Sequence, residues 1–284
     1  MRAGMMPVMA AVAAAAACGG GVMQTQPTGE RLPSLDLVSR AQWGALAQRR
    51  IFFGHQSVGR NIVDGMADVL RSRPDLGIKV VESKDLGAAP AFYHAAVGRN
   101  GYPLEKVDEL LQVAERGPAA DGGVAMVKLC YVDAQPGTDA QQLFEQYRQR
   151  MDRLRAERPA LTLVHFTMPL TVTESWAGIL RNRLRGRWLE RDRNVVRARY
   201  NRLLLAHYEG KEPVFDIARL ESTRPDGSRL FFLRGADTVF TMVPEYTSDG
   251  GHLNQPARRM VAEQLLIFLA RLSPAGAPGG LRGG

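Results

Sequence analysis

Between residues 50 and 272 short apolar runs alternate with longer stretches whose apolar positions recur every three or four residues. Strand-length and helix-length signals in alternation are what a mostly parallel sheet requires, because each parallel crossover needs a connection long enough to carry a helix. The strand signals fall at 50–53, 77–82, 124–132, 161–168 and 213–217. They predict an α/β fold, a three-layer α/β/α sandwich around a five-stranded, mostly parallel sheet. Helical spacing follows Ser57 (Val58, Ile62, Val63, Met66, Val69) and recurs over 104–114, 139–157 and 174–208. A last helix opens at Pro256, since proline suits a first turn, with Met260, Val261, Leu265 and Phe268 facing inward. The stretch 83–103 reads as a long loop, and 230–242 as a hairpin added before the final helix. A chain of 284 residues with 45% hydrophobic and 23% charged residues is enough for one large domain, placed at 41–272.

The ends read differently. After Arg2, residues 5–17 are uncharged and mostly Ala, Met and Val, too short for a permanent membrane span. Ala15, Ala16 and Ala17 directly before Cys18 resemble a bacterial lipoprotein box, in which the cysteine becomes the lipidated first residue. That resemblance makes 1–18 a signal segment, Cys18 the lipidation site, and the mature protein a lipid-anchored protein of the cell envelope. Residues 19–40 then form a flexible linker, and the Gly- and Pro-bearing residues 273–284 a disordered tail. Cys130 is the only other cysteine and sits in an apolar run, where a buried, inert thiol is expected. His94, His165 and His207 have no partner at metal-ligand spacing, so neither a zinc site nor a cofactor is expected.

Two motifs carry chemistry. Gly54-His55-Gln56-Ser57-Val58-Gly59 follows the first strand and opens the first crossover helix, so Ser57 stands at a strand-to-helix turn at the C-terminal edge of the sheet. Backbone N–H groups at such a helix start can bind a developing oxyanion. Near the other end, Asp249-Gly250-Gly251-His252 places a carboxylate three residues before a histidine, with glycines that let the chain turn until the acid reaches the imidazole Nδ1–H. A serine, a histidine base and an aspartate that fixes the base's tautomer make a catalytic triad. Serine can also serve as a plain helix N-cap, and the two roles are compatible.

Over roughly residues 50–272 these motifs resemble the SGNH hydrolases, also called GDSL esterases and lipases, in an early serine after the first strand and a late Asp-x-x-His pair. The resemblance implies a serine esterase with Ser57 as nucleophile, His252 as base and Asp249 as its orienting acid, needing no cofactor. Weaker echoes are Met168-Pro169 at a strand end and Val214-Phe215-Asp216-Ile217 as the penultimate strand. Two departures stand out. The usual Gly-Asp-Ser is Gly54-His55-Gln56-Ser57, and the usual Gly-x-Asn-Asp after the third strand is Cys130-Tyr131-Val132-Asp133. The family's oxyanion-binding asparagine is therefore absent there, and an ionised Asp133 would repel the oxyanion. Gly98-Arg99-Asn100 offers a substitute, so the expected oxyanion hole is the Ser57 N–H, the Gly98 N–H and the Asn100 amide. His55 and Asp133 are candidate substrate-binding residues, with a turn-ordering core histidine and a cap of the following turn as their structural alternatives.

The balance of 37 Lys and Arg against 29 Asp and Glu gives a net charge of +8, and arginine is dense from Arg181 to Arg202, with Trp176 and Trp188 beside it. A solvated helix face is expected there, and no nucleic acid partner. The substrate class implied is a small-molecule or saccharide ester. Two alternatives stay open: acyl transfer to a sugar hydroxyl, and a non-catalytic envelope scaffold binding an anionic glycan or a protein partner.

Overall fold

A computed structural model describes residues 23–28, 31–117 and 123–272. Segment 1–18 with Cys18, and the tail 273–284, lie outside the described residues. The chain runs β1 (Gln24–Pro27), α1 (Arg40–Ala47), β2 (Arg50–His55), α2 (Val58–Ser72), β3 (Val80–Glu82), β4 (Ala91–Ala96), α3 (Pro103–Arg116), β5 (Gly123–Val127) and α4 (Ala140–Glu157). It continues with β6 (Leu161–Phe166), α5 (Trp176–Leu184), α6 (Glu190–Tyr208), β7 (Val214–Phe215), α7 (Ile217–Ser222), β8 (Ser228–Arg234), β9 (Asp237–Phe240) and α8 (Gln255–Arg271).

The central sheet has the order β3-β4-β2-β5-β6-β7, with every pair parallel. Period-two alternation sends Ile51, Phe53, Val124, Met126, Val164 and Phe166 into the core under α1, α2 and α8. Phe52, Ala125, Val127 and Leu163 go to the opposite core under α3, α4 and α6. The result is the expected three-layer α/β/α sandwich, with one more strand than expected.

The sixth strand is β4, which lies in the stretch read as a long loop. Its sequence, Ala-Phe-Tyr-His-Ala-Ala, carries a histidine and follows a proline, so it lacks a clean apolar run, yet it is buried and paired on both sides. The third expected strand ends at Val127 rather than 132, because the chain turns there into a 3-10 turn at Tyr131–Asp133. Stretch 174–208 is two helices, interrupted where Gly186 adopts φ 60°. Part of the expected flexible linker is also ordered: Gln24–Pro27 pairs antiparallel with Ser228–Phe231, and β8 pairs with β9, giving a separate three-stranded sheet. Backbone pairing holds that exposed strand, so its side chains leave no signal in the sequence. The hairpin expected at 230–242 is β8–β9. No helix among the described residues is long and apolar enough to cross a membrane.

From β2 the chain moves outward to β3 and β4 on one side, then crosses to β5 on the other. The C-terminal end of β2 is thus a topological switch point, where an open parallel sheet leaves a crevice for a ligand.

Candidate active site

Ser57 stands at that crevice, two residues past β2 and one before α2. Its backbone, φ 52° and ψ −115°, makes it the only non-glycine with positive φ among the described residues. A sharp strand-to-helix turn of this kind lifts a nucleophile's side chain clear of the sheet edge. The turn depends on Gly59, where an added Cβ would lie 2.3 Å from the His55 Cβ and 3.1 Å from the Lys128 Cε.

The loop after the 3-10 turn at Pro244–Tyr246 brings the other partners. The Asp249 Oδ1 accepts the N–H groups of Gly251 (2.9 Å) and His252 (2.8 Å) and the Thr247 hydroxyl (3.1 Å). Its Oδ2 lies 2.6 Å from the His252 Nδ1. Partial burial alone would raise the Asp249 pKa, but these hydrogen bonds outweigh it and hold the carboxyl well below the usual range. The His252 Nε2 is 2.6 Å from the Ser57 Oγ. The Leu253 N–H donates to the Asn61 side chain of α2 (3.2 Å), tying this loop to the helix that begins at Ser57. Ser57, His252 and Asp249 are thus brought together in one hydrogen-bonded row, the serine hydroxyl on the imidazole Nε2 and the carboxylate on its Nδ1.

The other expected site residues are placed differently. The Gly98 N–H already donates to the Glu109 carboxylate (2.9 Å), so it is not free to bind an oxyanion. The Gln56 amide donates to the carbonyls of Gly98 (2.8 Å) and Val97 (3.3 Å), so this stretch meets the nucleophile turn through acceptors. Asn100 is exposed; its Oδ1 accepts from Lys106 (3.3 Å), and no hydrogen bond among the described residues joins it to Ser57 or His252. Asp133 does not face a substrate. Its carboxylate and the Lys106 ammonium are both fully buried and bonded at 2.7 Å, and it also accepts the N–H groups of Gly101 (2.8 Å) and Cys130 (2.7 Å). The charge that would have repelled an oxyanion is thereby paired, and Asp133 fastens the loops after β4 and β5 together. His55 is a core residue: its Nε2 lies 3.1 Å from the His94 Nδ1, and burial, with His94, Lys128 and Arg60 nearby, lowers its pKa to about 3. Cys130 is buried, as expected.

Tyr131, to which the sequence motifs assign no role, stands in the site. Its hydroxyl is 3.4 Å from the His252 Nε2, the same nitrogen that faces the Ser57 Oγ, and its ring meets the imidazole edge-on at 5.7 Å. Gly251 makes room for it, since a Cβ there would lie 3.0 Å from the ring. The Tyr131 carbonyl accepts from the Nε of Arg197 (2.9 Å), a buried arginine that also donates to Asn194 and Thr171. Burial raises the Tyr131 phenol above its ordinary range, so it is a protonated donor at neutral pH. The available signal was position: Tyr131 lies in the loop where an oxyanion donor belongs.

No family model matches the chain, and no curated protein sequence matches it. Among solved structures, it is similar to a carbohydrate esterase family 3 protein from Talaromyces cellulolyticus, at 15% identity and TM-score 0.44 over 79% of this chain and 100% of that one. An acetyl xylan esterase, AlAXEase, gives 16% identity and TM-score 0.42 over 76% and 96%. The OSK domain of Drosophila Oskar gives 12% and 0.39 over 77% and 86%. At these values the likeness transfers no residue role. The chain is an α/β protein whose sheet edge gathers a serine, a histidine and an aspartate in hydrogen-bonded sequence.

Proposed function

We propose that the chain is a serine hydrolase of the SGNH type acting on an ester. The observation that carries the reading is the pair of 2.6 Å contacts, Ser57 Oγ to His252 Nε2 and His252 Nδ1 to Asp249 Oδ2. Ser57 Oγ attacks the ester carbonyl and passes its proton to His252 Nε2. Asp249 keeps Nδ1 protonated and stabilises the imidazolium. The Ser57 N–H, which has no acceptor among the described residues, and the Tyr131 hydroxyl stabilise the oxyanion. His252 then protonates the leaving alcohol. Water releases the acyl group from Ser57 by the same steps in reverse, with the acid as product. An acylated saccharide or envelope polymer is the proposed substrate class, and the lipoprotein-like box before Cys18 adds an acyl-anchored location to the proposal.

Fluorophosphonate labelling of the folded protein, with peptide mass spectrometry to locate the adduct, tests the reading. Labelling at Ser57 that disappears in Ser57→Ala is the expected result. An unlabelled Ser57 in folded protein would overturn it.

A further inference from the structure

Arginine on this surface is generally paired: Arg60 with Asp64 and Glu82, Arg148 with Glu145 and Asp152, Arg153 with Glu157, Arg258 with Asp68. The segment formed by α5 and residues 185–188 departs from that rule. Arg181, Arg183, Arg185 and Arg187 are all exposed, and among the described residues none has a carboxylate within 4 Å. Interleaved with them at four-residue intervals are Leu180, Leu184 and Trp188, which are 54%, 81% and 64% exposed. Leu180 and Leu184 share one face of α5, and Trp188 follows in the turn beyond it. Four unpaired positive charges around three large exposed apolar side chains form a surface that contacts among the described residues leave unused.

Charge and apolarity together select the occupant. A second copy docked face to face would set the arginines of one molecule against those of the other. A nucleic acid would match the charges and leave Leu184 and Trp188 in water. An anionic bilayer accepts both, with phosphates for the guanidinium groups and the headgroup–acyl boundary for Leu and Trp. We infer that α5 and residues 185–188 dock the protein on an anionic phospholipid surface, with Leu180, Leu184 and Trp188 entering the boundary.

The position of α5 fits such a contact. In the segment leading to it, the Val172 N–H donates to the carbonyl of Gly250 (2.9 Å), within the Asp249–His252 loop, and the Thr173 hydroxyl donates to the Met23 sulfur (3.3 Å). The catalytic loop and the start of the described chain therefore lie beside the proposed membrane face. Met23 is only five residues from Cys18. The inference stands whether or not Ser57 is a nucleophile, since it rests on α5 and residues 185–188 alone.

The test is vesicle flotation of the full chain carrying Cys18→Ser, so that no acyl anchor contributes. The vesicles are phosphatidylcholine alone or with 30% phosphatidylglycerol. Each arginine near an anionic surface is worth about 1 kcal/mol, so R183Q/R185Q/R187Q should weaken partitioning roughly a hundredfold at low salt. L184S/W188S should also weaken it, and the Trp188 emission shift on anionic vesicles should vanish in W188F. Any contribution of residues 1–22 is common to all these proteins and cancels in the comparison. The side chains substituted in α5 and residues 185–188 are all exposed, and an unchanged thermal melt verifies the fold. Three outcomes overturn the inference: equal partitioning of parent and arginine variant, retention on duplex DNA without vesicle binding, or a dimer that L184S/W188S dissociates without any vesicle binding.

Discussion

Substituting Gly59 by alanine perturbs Ser57, the proposed nucleophile, without touching the side chains of Ser57, His252 or Asp249. An ideal Cβ would sit 2.3 Å from the His55 Cβ and 2.9 Å from its Cγ. Carbon pairs settle near 3.5–4.0 Å, so the two groups must separate by about 1.2 Å. His55 does not yield easily. It ends β2, its carbonyl accepts the Val97 N–H (3.1 Å), and its imidazole is bonded to His94 in the core. The first turn of α2 must move instead, taking Ser57 with it. A displacement near 1 Å at the reacting group costs roughly 10²-fold in rate. Overpacking costs about 1–3 kcal/mol, and the better helix propensity of alanine returns up to about 1 kcal/mol. The net loss is then about 0–2 kcal/mol, and the melting temperature should fall by no more than about 8 °C, at about 2–4 °C per kcal/mol for a domain this large. The assay pairs the fluorophosphonate labelling rate with a thermal melt. Gly44→Ala is the control, because nothing lies within 4 Å of its Cβ position in α1. It should hold or raise stability and leave labelling unchanged. A Gly59→Ala protein labelled within threefold of the parent rate would refute the geometry of the turn.

Three further outcomes follow from the site and its supports. Tyr131→Phe removes the proposed oxyanion donor and should lower kcat about 10²- to 10³-fold with little change in KM, measured on a soluble short-chain ester; an unchanged kcat would remove Tyr131 from the mechanism. Lys106→Met leaves the Asp133 carboxylate buried without its cation, and denaturant unfolding should show a loss of about 3–5 kcal/mol that Asp133→Asn in the same chain partly restores. Burial pushes the Glu221 pKa up to about 8 against the Leu170 N–H, whereas its ordinary value is 4.5. The folded state thus keeps a proton that the unfolded chain releases between these values, so stability falls as pH rises through that window, by at most about 1.4 kcal/mol per pH unit. Unfolding free energies at pH 5 and pH 8 should show this slope in the parent and a much flatter one in Glu221→Gln; equal slopes would refute the assignment.

What the sequence made readable was local. Asp249 and His252 are three residues apart, and Ser57 lies between a short apolar run and a helical repeat, so each motif announces its own geometry. What it concealed depends on pairings between distant residues. Asp133 reads as a repelling charge until Lys106, 27 residues earlier, is found against it. Gly98 reads as a free donor until Glu109 is found to accept its N–H. Strand β4 is hidden because His94, a polar residue in a buried strand, meets His55 of the neighbouring strand rather than water. The long arginine-bearing helix is two helices because Gly186, one residue among many arginines, takes a left-handed conformation.

The backbone of Ser57 bears on why a serine is there at all. A non-glycine residue held at φ 52° and ψ −115° is destabilised by about 1–3 kcal/mol. Glycine would begin α2 from the same turn without that cost, and serine does not repay it by capping, since its side chain makes no cap hydrogen bond. A protein that used this turn only to hold its shape would be more stable with the smaller residue. Ser57→Gly should accordingly melt higher than the parent while losing the hydroxyl proposed as its nucleophile, which would make the proposed reactivity a standing thermodynamic burden on the folded state.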